Sequence, residues 1–313
     1  MSVPWVMGLD GGGSKSALAY ANQDGEVVGP FLGPGISPFD QPHWSEVLDA
    51  LLTRHPAPGP LRHATLGLPG YGEDARITAR QEEVIRLLVP IPASVMNDVE
   101  LAFYGAFEGG IGALLLSGTG SMVWASDGSR SVRAGGCGEG FGDEGSGYWI
   151  GREALSIATQ TLDGRLNAQE FTRALLRQLG MPVSPPEDEQ RALISWYYRQ
   201  EHARSAVAAL AGTVDALAQR GDMEAQALLE RAADLLVRHV QAARVRLGRP
   251  GLPWSYAGGV MHSGLLRAAV TARLGVSPQP PALPPVWGAL RHAALQASWS
   301  VLFQPPPIPH SFT

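Results

Sequence analysis

Residues 5–21 read Trp5-Val6-Met7-Gly8-Leu9-Asp10-Gly11-Gly12-Gly13-Ser14-Lys15-Ser16-Ala17-Leu18-Ala19-Tyr20-Ala21, an apolar run that stops at an acid, turns through three glycines and resumes. That pattern predicts two strands joined by a tight turn. In the next stretch, Gln23-Asp24-Gly25-Glu26-Val27-Val28, the Asp-Gly pair supplies the positive φ that hairpins prefer, so a third strand joins the sheet. The same grammar returns further on. Ile111 to Leu116 is apolar, Ser117-Gly118-Thr119-Gly120-Ser121 turns, Met122-Val123-Trp124-Ala125 resumes, and Asp127-Gly128 leads into Ser131-Val132-Arg133. An ordered repeat of strand, small-residue turn, strand, Asp-Gly hairpin and strand predicts an internal duplication, with two similar halves facing each other.

Outward from these hairpins, Ala64-Thr65-Leu66-Gly67-Leu68 and Ala93-Ser94-Val95-Met96 read as buried strands flanking a helix from about Arg76 to Leu88. Strands alternating with helices imply parallel pairing. Helices dominate the second half, over 148–161, 168–179, 191–219 with breaks, and 223–247, where Gly248 is a plausible stop. A strand, Trp254-Ser255-Tyr256-Ala257, leads into Gly258-Gly259-Val260 and a helix from Ser263. The proline-rich stretch 278–285 reads as a spacer before a last helix over about 286–302, and Pro305-Pro306-Pro307 as part of a frayed tail.

A chain of 313 residues suits two domains. We expect one over 1–110, completed by the helix of about 286–303, and the other over 111–285. With 45% hydrophobic and 17% charged residues the chain has material for buried cores. A net charge of −5 gives no electrostatic reason for nucleic acid or an anionic membrane as partner and favours a small-molecule substrate. The single cysteine, Cys137, excludes an internal disulfide or an all-cysteine metal site within one chain, and the N-terminal stretch has neither the basic region nor the apolar length of a secretory signal. A cytoplasmic protein is expected.

Glycine lacks Cβ, so the backbone N–H groups of Gly11, Gly12 and Gly13 can approach and donate to an anion, while Ser14 offers a hydroxyl and Lys15 a charge. This is a phosphate cradle, distinct from a Walker A loop because a strand follows it. The plainer reading is a tight hairpin needing positive φ. Gly118, Thr119 and Gly120 repeat the donors, and two such turns could hold the β- and γ-phosphates of ATP from both sides. A carboxylate beside a polyphosphate serves Mg²⁺, which is the role expected of Asp10, with an Asx-type turn cap as the alternative. His43, His239 and His262 lack ligand spacing for zinc.

With these turns stand Asn97-Asp98, Gly142-Asp143-Glu144-Gly145-Ser146-Gly147-Tyr148-Trp149-Ile150-Gly151 and Ala257-Gly258-Gly259-Val260. In order and spacing, over roughly residues 5–300, they resemble the sugar kinases of the actin, Hsp70 and hexokinase superfamily, most closely the N-acetylglucosamine kinases of the BadF/BadG/BcrA/BcrD ATPase-type family. The resemblance implies an α/β protein with the two-domain, duplicated ribonuclease H-like fold of actin-like ATPases and a central ATP cleft. It also implies transfer of the γ-phosphate of ATP to an amino sugar, N-acetylglucosamine or glucosamine at the 6-hydroxyl. Asp98 would take the proton from the attacking hydroxyl, although an aspartate between strand and helix also caps the helix. Gly135, Gly136 and Asp143 would contact the sugar, with Asn97 and Glu144 beside them. The nucleoside would lie at Gly258 and Gly259, with Ser263 near the ribose or phosphates and Gly212 near the adenine. Cys137 stands where the family often has tryptophan and reads as a packing residue.

One departure concerns the sugar. The family carries an asparagine after the first hairpin, whereas this chain reads Gly33-Pro34-Gly35-Ile36-Ser37-Pro38-Phe39-Asp40, so that Ser37 or Asp40 would have to substitute. Two other functions fit the phosphate turns: an ATPase that activates a dehydratase or reductase, and a sugar-sensing regulator without kinase activity. The activators hold an iron–sulfur cluster between subunits with several cysteines, against one here. The regulators add a DNA-binding module ahead of the first turn and a cysteine-rich zinc motif. We expect an amino sugar and ATP as partners, neither nucleic acid nor membrane, and a homodimer.

Overall fold

The computed structural model describes residues 2–299 apart from Ser14 and Asp40, so the roles expected of those two, the end of the last helix and the tail lie outside the described residues. Two compact units emerge, one formed by the chain up to Ile111 together with the segment from Pro280 onward, the other by Gly112–Gln279.

The first unit is built on a five-stranded sheet of β1 (Trp5–Gly11), β2 (Lys15–Asn22), β3 (Val27–Pro34), β4 (Leu61–Leu68) and β5 (Ala93–Asn97), in the order β3-β2-β1-β4-β5. β1 pairs antiparallel with β2 and parallel with β4, and β4 pairs parallel with β5. Both faces of β1 are covered, which is why its sequence is almost continuously apolar rather than alternating. Trp5, Met7 and Leu9 pack with Trp44, Leu48, Val84 and Ile85, from helices α1 (Trp44–Arg54) and α2 (Ala75–Leu88). Val6, Ala19 and Ala21 pack on the other face with Val286, Trp287 and Leu290. The latter belong to the last described helix, Pro285–Gln296. Gly8 permits that packing, since a Cβ there would lie 2.8 Å from Leu290 N and 2.9 Å from Val286 O.

Helix α3 (Asp98–Phe107) follows β5 directly. The stretch ahead of the last helix is docked rather than a free spacer, because Ala282 and Leu283 donate their N–H groups to Ala106 O and Gly105 O. Sequence pattern did not reveal α1. Trp44, Val47, Leu48 and Leu51 do stand at helical spacing, but His43 at its start makes no side-chain cap, so no capping signal marks where the eleven-residue helix begins.

In the second unit the sheet has four strands, β6 (Gly112–Ser117), β7 (Ser121–Ser126), β8 (Ser131–Gly135) and β9 (Trp254–Ala257), in the order β8-β7-β6-β9. This repeats β3-β2-β1-β4 of the first unit strand for strand, with the same antiparallel and parallel senses. Five helices stand between β8 and β9: α4 (Gly147–Leu162), α5 (Gln169–Gln178), α6 (Pro186–Tyr198), α7 (Ala203–Gln219) and α8 (Met223–Leu247). The stretch expected as one interrupted helix over 191–219 is two, divided at Arg199–His202, and α6 begins earlier, at Pro186, with Glu187, Asp188 and Glu189 in its first turn. Proline at the first helical position and acids beside it suit a helix start. α8 buries Leu228, Leu229, Ala232, Leu236, Val240 and Ala243 and ends at Gly248 with φ 65°. A 3-10 turn (Gly259–His262) and α9 (Gly264–Leu274) follow β9, and the last helix of the first unit is α10. No helix among the described residues is long and apolar enough to cross a membrane.

Candidate active site

In the first unit, Asp10 lies one residue before the end of β1, opposite Ala17 on β2 and Gly67 on β4. Gly11 has no room for a side chain, as a Cβ would meet Ile36 Cδ1 at 2.5 Å and Gly67 O at 2.8 Å. Gly12 donates its N–H to Lys15 O at 2.9 Å and accepts from Ile36 N–H at 3.1 Å, which closes the turn and draws the segment after β3 against it. Ser37 is buried there, 2% exposed, while Gly13 and Lys15 are exposed at the tip.

Gly67 is opposite Met96 on β5, so two strand spacings, about 10 Å, separate the row of Asp10 from that of Met96. Asp98 follows two residues later as the first residue of α3. Its carboxylate accepts from Val99 N–H at 3.0 Å. Asn97 is buried and caps the helix, accepting from Val99 N–H at 3.0 Å and donating to Tyr71 O and Glu73 Oε1, both at 3.2 Å.

Burial pushes the Asp98 carboxyl up to about 7, helped by the charges of Asp10 and Glu73 and opposed by the Val99 N–H. Asp10 is pushed up to about 6, again by burial, with Lys15 pulling the other way. The first unit thus holds carboxylates with little compensation around the end of its central strands. Among the described residues no group of three or more His, Cys, Asp or Glu could hold a metal unaided. A cation here would need oxygens from a ligand as well as Asp10, the usual situation of Mg²⁺ bound with phosphates.

The second unit anchors its turn to a helix. Gly118 O accepts from Gly147 N–H at 2.8 Å and Thr119 O from Tyr148 N–H at 3.2 Å, where α4 begins. Ser117 Oγ donates to Gly145 O at 3.0 Å, and Ser121 Oγ to Glu144 O at 2.8 Å. Asp143, only 3% exposed and with a left-handed φ of 58°, accepts from Ser121 N–H at 3.1 Å and from the Arg204 guanidinium on α7 at 2.8 Å. A Cβ on Gly120 would lie 2.7 Å from Asp143 Oδ1. Asp143 therefore fastens the turn with its side chain.

Gly135 and Gly136, at φ 77° and 70°, form a bend whose carbonyls both accept from Arg133. Gly136 N–H donates to Ser121 O at 2.9 Å. A Cβ on Gly135 would lie 2.8 Å from His239 Nε2 on α8. Glu144 is half-exposed, with its Oε2 3.5 Å from that same nitrogen.

Gly258 follows the end of β9, with φ 92° and a Cβ position 2.3 Å from Ser117 O, so the turn after β9 lies directly on the Ser117 turn. Gly259 is exposed with open space around its Cβ position, and so is Gly212 on α7. Ser263 caps α9, accepting from Leu266 N–H at 3.1 Å, and its hydroxyl donates to Asp215, one helical turn beyond Gly212.

The first turn thus has Ile36 drawn against it, and the second has the start of α4, Asp143 and Gly258. Sequence reading missed Glu73, Arg133, Arg204, Asp215 and the place of His239. Four of them act across long sequence separations, which no local pattern encodes, whereas Arg133 acts within its own bend on Gly135 and Gly136. Arg204 alone left a trace, as the one charge on α7 before Asp215.

Comparison with known proteins extends these geometric observations. The chain is 32% identical over 251 residues to an N-acetylmuramic acid/N-acetylglucosamine kinase of Clostridium acetobutylicum, covering 76% of this chain and 78% of that one. A solved structure from Chromobacterium violaceum, described as a candidate N-acetylglucosamine kinase, superposes with a TM-score of 0.73 at 26% identity, covering 93% of this chain and 99% of that one. A ROK family glucokinase from Streptomyces griseus, solved with glucose and AMPPNP, shares the fold with a TM-score of 0.58 at 16% identity, covering 93% and 98%. The two sheets of matching order are those of the actin-like ATPase fold. The pattern of the BadF/BadG/BcrA/BcrD ATPase family extends over residues 7–290, nearly the whole described chain, and the protein belongs to that family.

Proposed function

We propose that this protein is an ATP-dependent sugar kinase that transfers the γ-phosphoryl group of Mg·ATP to the 6-hydroxyl of an amino sugar, N-acetylglucosamine or glucosamine. Asp98 carries the reading: a carboxylate at a helix start, its carboxyl raised to about 7, is a base matched to neutral pH. Phosphoryl transfer asks the protein mainly for positioning and charge stabilisation, so one well-placed carboxylate suffices to accept the proton of the attacking hydroxyl. The relatives named as N-acetylglucosamine kinases support the substrate class.

On this reading Gly11, Gly12, Gly13 and Lys15 in one unit, and Gly118, Thr119 and Gly120 in the other, bind phosphate oxygens. Gly258, Gly259, Gly212 and Ser263 bind the nucleoside, the open space at Gly212 and Gly259 leaving room for a flat base. Mg²⁺ bound with the nucleotide supplies charge neutralisation, and Asp10 is the residue that would hold it. Gly135, Gly136, Asp143, Glu144, Asn97 and Ser37 shape the sugar side, with an amino sugar and ATP as the partners of a cytoplasmic enzyme.

The test is ADP release with Mg·ATP across N-acetylglucosamine, glucosamine, N-acetylmuramic acid, N-acetylmannosamine and glucose. We expect the first two to stimulate turnover most. Release that no sugar raises above the sugar-free rate sinks the kinase reading.

A further inference from the structure

The groups of the Gly135–Gly136 bend and its neighbours are largely spoken for. Arg133 takes both carbonyls, Ser121 O takes the Gly136 N–H, and Asp143 is buried between Ser121 and Arg204. Glu144 differs. Its side chain is 42% exposed and lies against His239. The His239 side chain is only 11% exposed, wedged under Gly135, and its Nδ1 is buried without a hydrogen-bond partner among the described residues.

That orphaned nitrogen fixes the tautomer. A neutral imidazole has one N–H donor and one acceptor lone pair, and a dry, partnerless position is far costlier for the donor. The proton therefore sits on Nε2, the nitrogen 3.5 Å from Glu144 Oε2. A second proton would bury an unsatisfied N–H, in keeping with an imidazole that burial holds below its usual range against the pull of Glu144 and Asp143. Burial thus holds His239 toward its neutral form, which offers Glu144 an N–H rather than a second charge.

We propose that His239 is a positioning residue for the sugar: its Nε2–H holds the Glu144 carboxylate beside the Gly135–Gly136 bend, where the remaining lone pairs of Glu144 accept sugar hydroxyls. The inference rests on the sugar kinase reading and adds hydroxyl readout by the His239–Glu144 pair to the sugar side of this unit. Glycine at 135 is then required twice, for its positive φ and for the space the imidazole occupies.

The test is steady-state kinetics with N-acetylglucosamine varied at saturating Mg·ATP, and the reverse. His239→Leu should raise the KM for sugar about tenfold, leaving kcat within about threefold and the KM for ATP unchanged, the size of one lost hydrogen bond to a charged group. His239→Gln, whose amide can reach the Nε2 position, should restore the sugar KM to within about threefold. His239→Asn, whose amide reaches only the Nδ1 position, should not, and it decides the matter if the leucine variant fails to fold. In a Glu144→Gln background, His239→Leu should cost less than about twofold more. Equal rises in both KM values that glutamine does not rescue, or a full cost persisting without Glu144, would reduce His239 to a packing residue. Wild-type protein that no sugar stimulates overturns the kinase reading and this inference with it, whereas an active wild type matched by His239→Leu overturns this inference alone.

Discussion

The turn at Gly12–Lys15 is closed by its own backbone and by Ile36, a neighbour in the same hairpin region, whereas the turn at Gly118–Gly120 is fastened to the start of α4 through Gly147 and Tyr148 and to Asp143. Both arise from the same strand order, and their acids are used differently. In the first unit Asp10 and Asp98 stay under-compensated, and burial raises both. In the second, Asp143 is neutralised by Arg204 and holds the turn in place. The duplicated hairpins have thus diverged into a half that keeps reactive carboxylates at a cost in stability and a half that uses its acid for scaffolding.

The comparison breaks most visibly at Asp98. Replacing it with Asn should leave ATP binding intact and lower sugar-dependent turnover about 100- to 10,000-fold, the usual contribution of a general base. Calorimetric ATP titration beside ADP-release kinetics checks both halves, and unchanged turnover would leave Asp98 a helix cap.

Next in size is the scaffold. Gly258→Ala forces a Cβ to within 2.3 Å of Ser117 O at a φ of 92°, and should cost about 2–3 kcal/mol in urea unfolding and weaken ATP at least tenfold. Gly259→Ala meets open space and should do far less to stability. Equal effects at the two positions would remove the reason for seating the β9 turn on the Ser117 turn.

A smaller effect distinguishes the reactive half in the absence of ligands. The Asp98 carboxyl, normally near 3.8, titrates at about 7 in the fold, so the folded state favours its protonated form. That stability is fully present below about pH 4 and is lost as pH rises through about 7. At about 1.4 kcal/mol for each tenfold change in proton affinity, and with part of the side chain reaching solvent, Asp98→Asn should stabilise the free protein by about 1–3 kcal/mol at pH 8. The gain should shrink at pH 5. Chemical denaturation at the two pH values measures it, and a gain independent of pH would show that the charge of Asp98 is not what the fold resists.

How much of this could be read from sequence divides along the same line. The paired hairpins were legible because a strand repeats every two residues and the turns declare themselves in glycine. Asp98 was legible because it follows a short apolar strand. Where the anchoring partner comes from far along the chain, nothing local announced it. Arg204 reaches Asp143 across 61 residues, and His239 lies among the apolar positions of α8, where it looks like one more scattered histidine. Glu73 lies in a loop with no periodicity, and its effect on Asp98 exists only once β5 and the loop after β4 come together. The break between α6 and α7 was blurred for the opposite reason, since helix-forming residues flank it on both sides.

The central claim is the transfer itself, and the product tests it most directly. N-acetylglucosamine incubated with the protein and Mg·ATP, followed by phosphorus and proton NMR, should yield a phosphate monoester whose phosphorus couples to the two C6 protons, and the 6-deoxy sugar should yield none. Phosphate on the anomeric carbon, or inorganic phosphate as the only product, would contradict the account.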